Sequence, residues 1–375
     1  MQSGERRRLI ESAFEERYGD SPTRWVRAPG RVDLMGSHTD YNRGRVLTLA
    51  IDRDTWIAAR TREDDQVRLH SLNLGADADV GWALYVHGVL RTLESAGYAS
   101  PGFDAIFHGT IPLASGLSSS ASLECATARL VEALGGHGIS GLELAQLCQR
   151  AENEVVGVPC GILDQYTSLM GASGHAIVLD CETLTHELAA IDASLAIVVA
   201  DTRAPRPLAD SAYDERRSSC EAGLAELRRH RPLASLCSLT PSEFDALGAA
   251  LPAPVEARCR FVIEENARVP AMADALSHGD RTSIESLCDA SFRGARDLYE
   301  ICVPEMEAMI AALREAPGII GARQTGAGFG GCMVAIVERS GLDDCMSTAT
   351  SLYRERSGRP GVLFEIHSAS AAGPI

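Results

Sequence analysis

The chain has 375 residues, two to three domains' length on the usual prior, and its 45% hydrophobic and 23% charged residues are those of a folded globular protein. Lys+Arg number 35 against 51 Asp+Glu, a net charge of −16, so broad binding to nucleic acid or to an anionic membrane is opposed by repulsion. There is no lysine at all, which excludes Schiff-base and PLP enzymes, and also the P-loop and protein-kinase solutions that place a Lys on nucleotide phosphates.

In chain order, the charged start (Glu5, Arg6, Arg7, Arg8) has no apolar run of signal-peptide type after it. No stretch approaches the ~18 apolar residues of a membrane span. The alternation over Val46–Ala59 predicts a strand after a turn at Asn42-Arg43-Gly44, and Phe103–Ile111 predicts another, closed by Pro112. Helix is expected over Ala121–Leu134, stopped by Gly135-Gly136, and over Gly141–Val156, stopped by Gly157-Val158-Pro159. Leu195–Asp201 reads as a short apolar strand, and a domain boundary is placed near residues 185–195. Further helices are expected at Ser211–Arg229, Glu256–Leu276, Ser283–Ala290 and Pro304–Glu315, then a strand at Gly331–Val337. Such irregular alternation predicts an α+β fold rather than a doubly wound parallel sheet. The eleven cysteines are scattered, odd in number and without a C-x-x-C pair, so neither a zinc site nor a disulfide framework is expected, and a reducing cytoplasm fits.

Four segments carry polar chemistry. Between a strand and a helix start lies Ala114-Ser115-Gly116-Leu117-Ser118-Ser119-Ser120, an order that points backbone N–H groups and a helix dipole at one spot and can bind phosphate without Lys. An ordinary serine-rich turn with an N-cap is the competing reading. Gly326-Ala327-Gly328-Phe329-Gly330-Gly331 has the wrong context for a dinucleotide fingerprint and reads by itself as a tight connection. Arg27-Ala28-Pro29-Gly30-Arg31 leads to Gly36-Ser37-His38-Thr39-Asp40-Tyr41, polar groups suited to a polyhydroxylated ligand or to a polar surface turn. In Cys160-Gly161-Ile162-Leu163-Asp164-Gln165, Asp164 reads locally as a helix N-cap or as a perturbed general base.

Together these segments resemble the GHMP small-molecule kinases and, within them, the galactokinases. Arg27–Asn42 is similar to the galactokinase signature, Pro112–Glu124 to the phosphate-loop motif and Thr325–Cys332 to the third, glycine-rich motif. Ala151–Gly171, Leu208–Cys220 and Arg296–Glu305 also read like galactokinase segments, so the resemblance spans nearly the whole chain in order. It implies a two-domain fold, residues 1–190 of ribosomal-S5-like type and 191–375 ferredoxin-like, with the active site in the cleft between them. The implied reaction moves the γ-phosphoryl of ATP to the anomeric hydroxyl of galactose. Asp164 would accept the proton and Arg31 would stabilise the transferring phosphoryl. Ser120 and Glu152 would hold Mg²⁺, while Gly116, Leu117, Ser118 and Ser119, with Ser120, would contact the nucleotide. Ser37, His38, Asp40, Gly161 and Tyr213 would bind the sugar. Expected partners are therefore ATP and a small sugar, not nucleic acid or membrane, for a cytoplasmic monomer or weak oligomer.

Three departures from the usual pattern stand out. Ser37 occupies the position of a Glu associated with the sugar's C6 hydroxyl, Asp33 that of an Asn, and Arg203-Ala204-Pro205-Arg206-Pro207 replaces a segment that usually holds a His. Loss of the acid at 37, with arginines added nearby, also suits a C6 carboxylate, so a kinase for galacturonate or another C6-modified galactose-like sugar is the alternative substrate reading. The plainer reading keeps a neutral sugar and leaves Arg203 and Arg206 solvated. A regulator that binds ATP and sugar without catalysis is the alternative from another class. Presence of Ser118-Ser119-Ser120, Arg31, Asp164 and Glu152 favours the enzyme.

Overall fold

The structure, a computed structural model, describes residues 3–77, 81–112, 115–205 and 209–375, leaving aside the side chains of residues 209–211. In chain order its strands are β1 (Arg24–Met35), β2 (Arg45–Thr61), β3 (Val67–Ser71), β4 (Ala76–Asp77), β5 (Phe103–Gly109), β6 (His175–Asp180), β7 (Thr185–Ala190), β8 (Leu195–Asp201), β9 (Ile319–Gln324), β10 (Cys332–Glu338), β11 (Val362–Ile366) and β12 (Gly373–Pro374). The helices are α1 (Ser3–Tyr18), α2 (Trp82–Ser95), α3 (Ser119–Gly135), α4 (Gly141–Ala151), α5 (Leu163–Met170), α6 (Ala209–Leu227), α7 (Pro241–Leu247), α8 (Val255–His278), α9 (Arg281–Asp297), α10 (Pro304–Glu315) and α11 (Leu342–Ser357).

The length of β2 organises the first half. Its end pairs with β5 from Thr55↔Gly109 to Thr61↔Phe103, while its start pairs with β6 from Arg45↔Asp180 to Thr48↔Ile177. Along its other edge β2 pairs antiparallel with β1, from Arg24↔Ala59 to Met35↔Leu47. β3 joins β5 in the sheet's parallel pair, and α2, α3, α4 and α5 contribute to the apolar core on one face. The second half is a four-stranded antiparallel sheet in the order β11-β8-β10-β9. Helices lie between β8 and β9 and between β10 and β11, so the chain runs β-α-β-β-α-β, the ferredoxin-like pattern with an enlarged first helical connection.

The α+β, two-domain expectation is met. One core cluster nevertheless draws on both sheets, packing Val32, Leu34 and Leu47 with Val199, Met272 and Ile336. The C-terminal segment then returns to the first half. Ala369 N–H donates to the Ala50 carbonyl, Ala372 N–H to that of Ser168, and β12 pairs with β1.

Leu195–Asp201 and Pro304–Glu315 are found as expected, while two expected helices differ in an instructive way. The helix beginning at Gly141 leaves α geometry after Ala151 and finishes as a π turn over Glu152–Val156, a widening that recurs at functional sites. The helix expected to stop at Ala290 continues as α9 to Asp297. Gly294 lies inside it, where a β-carbon would come 2.8 Å from Phe261 Cδ2, so this glycine serves close helix packing and not termination.

Candidate active site

The signature run, open in the sequence to reading as a polar surface turn, is buried. Ser37, His38 and Thr39 are 2%, 5% and 0% exposed. β1 ends at Met35, and the turn is fixed by the Thr39 hydroxyl, which donates to the Gly36 and Arg45 carbonyls at 2.7 and 2.6 Å. Behind it Glu265 Oε1 accepts the N–H groups of Gly36 and Ser37. These contacts place Ser37, His38 and Asp40 on the wall of a cavity of about 280 Å³, a size suited to one small molecule. Arg31, Asp33, Glu152, Gly161, Asp164, Tyr213 and Gly326 are among its other lining residues, drawn from both halves of the chain.

At the inner end of the cavity Arg31 meets Asp164. Arg31 Nε and Nη2 lie 2.7 and 2.6 Å from Asp164 Oδ1, and Nη1 donates to the Gly116 carbonyl at 2.7 Å. Burial by itself would lower the Arg31 pKa, but Asp164 and Asp33 raise it above its ordinary value and keep it cationic. Asp164 stands in the first turn of α5 and does not cap it, since the cap position is Ile162. The N-cap reading is thus overturned: the carboxylate is aimed away from its own helix, at Arg31 and at Ser118 Oγ, 2.5 Å from Oδ2.

Ser118 adopts a left-handed backbone, φ 59°, at the entrance to α3 and makes no side-chain cap. Its hydroxyl is committed to Asp164, so it joins the serine-rich loop to the Arg31–Asp164 pair and is not free for another partner. Leu117 is 1% exposed, and its carbonyl accepts from Arg31 N–H, which leaves only its backbone for a ligand. Gly116 and Gly326 bring the two glycine loops together. A β-carbon on Gly326 would sit 2.9 Å from the Gly116 carbonyl oxygen. Residues 113 and 114 of the loop lie outside the described residues.

Glu152 opens the π turn and is buried; burial raises its pKa, while hydrogen bonds from Cys160, Gln165 and Ser120 act in the opposite direction. Ser120 and Glu152, distant in sequence, are therefore neighbours. Gln165 Nε2 bridges Glu152 Oε2 at 2.6 Å and the fully buried Glu124 at 2.9 Å. Burial and the charge of Glu152 push the Glu124 pKa well above the ordinary value.

His38 is held on both nitrogens, Nδ1 by Tyr41 Oη at 2.8 Å and Nε2 by the Ala327 carbonyl at 3.1 Å. A carbonyl only accepts, so Nε2 carries the proton and Nδ1 accepts from Tyr41, whose oxygen lies 2.8 Å from that of Tyr299. Burial lowers the His38 pKa to about 4, which keeps the ring neutral. The Tyr213 ring packs at 5.4 Å from those of both His38 and Tyr41. Asp40 is pushed up to about 6, first by burial and then by Asp164.

The two departures in the first motif touch each other: Ser37 Oγ donates to Asp33 Oδ2 at 2.5 Å. A carboxylate thus remains beside position 37, contrary to the expectation that its replacement by Ser removes the repulsive charge. Arg203 is half exposed and pairs with Asp201, as the solvated reading expected, and Arg206 lies outside the described residues. Asp33, Tyr41, Tyr299, Arg323 and Gln165 have no role assigned by the sequence. Tyr41 lies inside the signature run, Gln165 and Tyr299 inside galactokinase-like segments, and the chemical change at 33 is itself a signal; Arg323 has none.

An N-terminal half with a serine-rich phosphate loop, a ferredoxin-like second half and a polar cavity between them define the GHMP kinase class. The family models for the GHMP kinases N terminal domain, the galactokinase galactose-binding signature and the GHMP kinases C terminal match residues 84–172, 12–61 and 272–345. Galactokinases of a Roseiflexus species and of Exiguobacterium sibiricum are 37% and 39% identical, over 98% and 95% of this chain and 96% and 95% of theirs. Lactococcus lactis galactokinase, solved in complex with galactose, superimposes with a TM-score of 0.93 at 34% identity, covering 97% of this chain and 98% of that one. Methanococcus jannaschii mevalonate kinase shares the fold at a TM-score of 0.63 and 17% identity. The chain belongs to the galactokinase family.

Proposed function

We propose that the protein transfers the γ-phosphoryl group of ATP to the anomeric hydroxyl of galactose, giving galactose 1-phosphate. The observation that carries this reading is the Arg31–Asp164 pair, standing where the cavity meets the phosphate loop. Phosphoryl transfer needs mainly positioning and charge stabilisation. Asp164 accepts the hydrogen bond of the attacking hydroxyl and takes its proton as the new O–P bond forms and the bond from the γ-phosphorus to the β–γ bridging oxygen breaks, releasing ADP. Arg31, locked by Gly116 and Asp164, presents its remaining charge to the phosphoryl oxygens. Asp40, Gly161 and Tyr213 with the Ser37–His38 turn hold the sugar, and the backbone of Gly116–Ser118 with the Ser119 and Ser120 hydroxyls holds the nucleotide.

Glu152 and Ser120 offer adjacent hard oxygen donors, a set that fits Mg²⁺ when water and phosphate oxygens complete its shell. Among the described residues no cluster of three His, Cys, Asp or Glu side chains could hold a metal alone, so the ion would arrive with the nucleotide. When bound, it would neutralise charge on the phosphate oxygens.

A neutral sugar is favoured over galacturonate by charge. Arg323, the buried cation nearest Ser37, is already engaged by Glu265 at 2.8 Å and by Ser37 and Asp33, and Asp33 would repel a substrate carboxylate. We further place the protein in a reducing cytoplasm, given eleven free thiols, and take residues 1–190 and 191–375 as its two units, acting as a monomer or weak oligomer.

Coupled ATP consumption with galactose, galacturonate, N-acetylgalactosamine, fucose and arabinose tests the reading. Galactose is expected to give the largest kcat/KM. Preference for galacturonate would overturn the substrate, and binding without sugar-dependent ATP consumption would indicate a sensor.

A further inference from the structure

Asp33 and Ser37, the two unusual residues of the first motif, are 1% and 2% exposed and share one hydrogen bond. The rest of their surroundings is a closed network. Asp33 Oδ1 accepts from Gly326 N–H at 2.5 Å and from the Thr325 hydroxyl. Fully buried Arg323 donates to Ser37 Oγ at 2.7 Å, to the Asp33 carbonyl at 3.2 Å and to Glu265 at 2.8 Å, while Arg268 holds the other Glu265 oxygen at 3.0 Å. Asp33 and Glu265 are therefore held by Arg323 and Arg268, with Glu264 also 3.6 Å from Arg268 and Arg31 feeling the charge of Asp33.

We propose that Asp33 is a positioning residue that, through Ser37, Thr325 and Gly326, clamps the sugar turn onto the glycine-rich turn of the second half. The clamp has consequences on both sides. Gly326, held by Asp33, abuts Gly116 of the phosphate loop, and Ala327, next to it, fixes the proton of His38. Asn at 33 would remove one buried negative charge and leave an amide facing Ser37. Glu at 37 would bring a second carboxylate against Asp33. Either change alone alters the charge of a buried site where unpaired charge is costly, whereas both together leave the total charge unchanged.

The inference rests on the reading of the cavity as the galactose site. Its test is a double-mutant cycle of Asp33→Asn, Ser37→Glu and the double variant, read as KM and kcat for galactose together with thermal melting. Each single variant is expected to raise KM for galactose about tenfold or more, with kcat at saturating sugar within about threefold. The double variant is expected to lose less than either. A loss equal to the product of the two single losses would overturn the proposal, as would single variants with unchanged KM. Should Ser37→Glu fail to fold, Thr325→Val supplies the second arm, because it removes one donor to Asp33 and keeps the shape. It is expected to raise KM in the wild-type background and to add little to Asp33→Asn; an equal effect in both backgrounds would overturn the clamp. A wild type inactive on galactose would instead overturn the reading of the site.

Discussion

A β-carbon at position 161 would lie 1.8 Å from Asp40 Oδ2, so only glycine lets this carboxylate stand against the segment that leads to Asp164. The contact is between a turn in the first motif and the entrance to α5, and it sets the width of the cavity. Gly161→Ala is expected to raise KM for galactose ~10–100-fold, the equivalent of roughly 1–3 kcal/mol of overpacking, while ATP binding changes little. Isothermal titration with each ligand separately checks this, and equal loss of both affinities would contradict it.

Asp40 also sets an expected pH dependence. Its folded pKa is raised from 3.8 to about 6, so the ionised form is the one that folding disfavours. Its contribution to stability is present below pH 3.8 and is lost as pH rises through about 6. Sugar binding needs the opposite form, the carboxylate acceptor. kcat/KM for galactose should therefore fall as pH drops below about 6, with His38 neutral across that window. Asp40→Asn should remove this limb, raise Tm above pH 6 and weaken galactose binding, a trade of function against stability. A pH profile unchanged in the variant would assign the limb to another group.

Asp164→Ala removes the acceptor that both Arg31 and Ser118 address. General-base assistance is typically worth ~10²–10⁴-fold, and a loss in kcat of that size is expected with ATP affinity nearly intact. Near-normal kcat would show that Asp164 only supports the loop.

Glu152→Gln is expected to raise the Mg²⁺ concentration needed for half-maximal activity about tenfold, because a neutral amide oxygen replaces one of few anionic ligands. Titrating activity against Mg²⁺ at fixed ATP measures it. An unchanged midpoint would make Glu152 a structural partner of Gln165 and Cys160.

Burial beside Glu152 raises the Glu124 pKa, so that ionising this acid opposes folding. Glu124→Gln is expected to leave kcat within about threefold, since the amide keeps the shape of the acid, and to lessen the loss of Tm as pH rises above the ordinary carboxylate range, because the ionisation penalty disappears. Melting curves of both proteins over a pH series check it, and identical curves would contradict it.

Much of the fold could be read from local pattern. β8 and α10 match their expected limits because their apolar periodicity and flanking breakers agree with their final packing. The extension of α9 through Gly294 could not be read, because the fit of Phe261 against that glycine exists only once α8 and α9 touch. Whether the polar signature turn is a ligand wall or surface stayed open for a similar reason: its burial depends on Glu265 from α8 and on a turn some 290 residues later in the chain.

By itself the sequence determined which chemistry was on offer: with no Lys, any phosphate site has to draw on backbone N–H groups, hydroxyls, Arg and a metal, and the resemblance to the galactokinases points to Arg31, Ser120, Glu152 and Asp164 for it. Residue type is enough for the exclusion, since donor, acceptor and charge belong to each side chain alone. Only the tertiary structure decided which group faces which. It turned Asp164 from its helix to Arg31 and Ser118, spent both nitrogens of His38 on Tyr41 and Ala327, and returned a carboxylate to the side of Ser37 through Asp33. Hydrogen bonds and ion pairs depend on distances of about 3 Å between segments far apart in the chain, and folding alone fixes those distances.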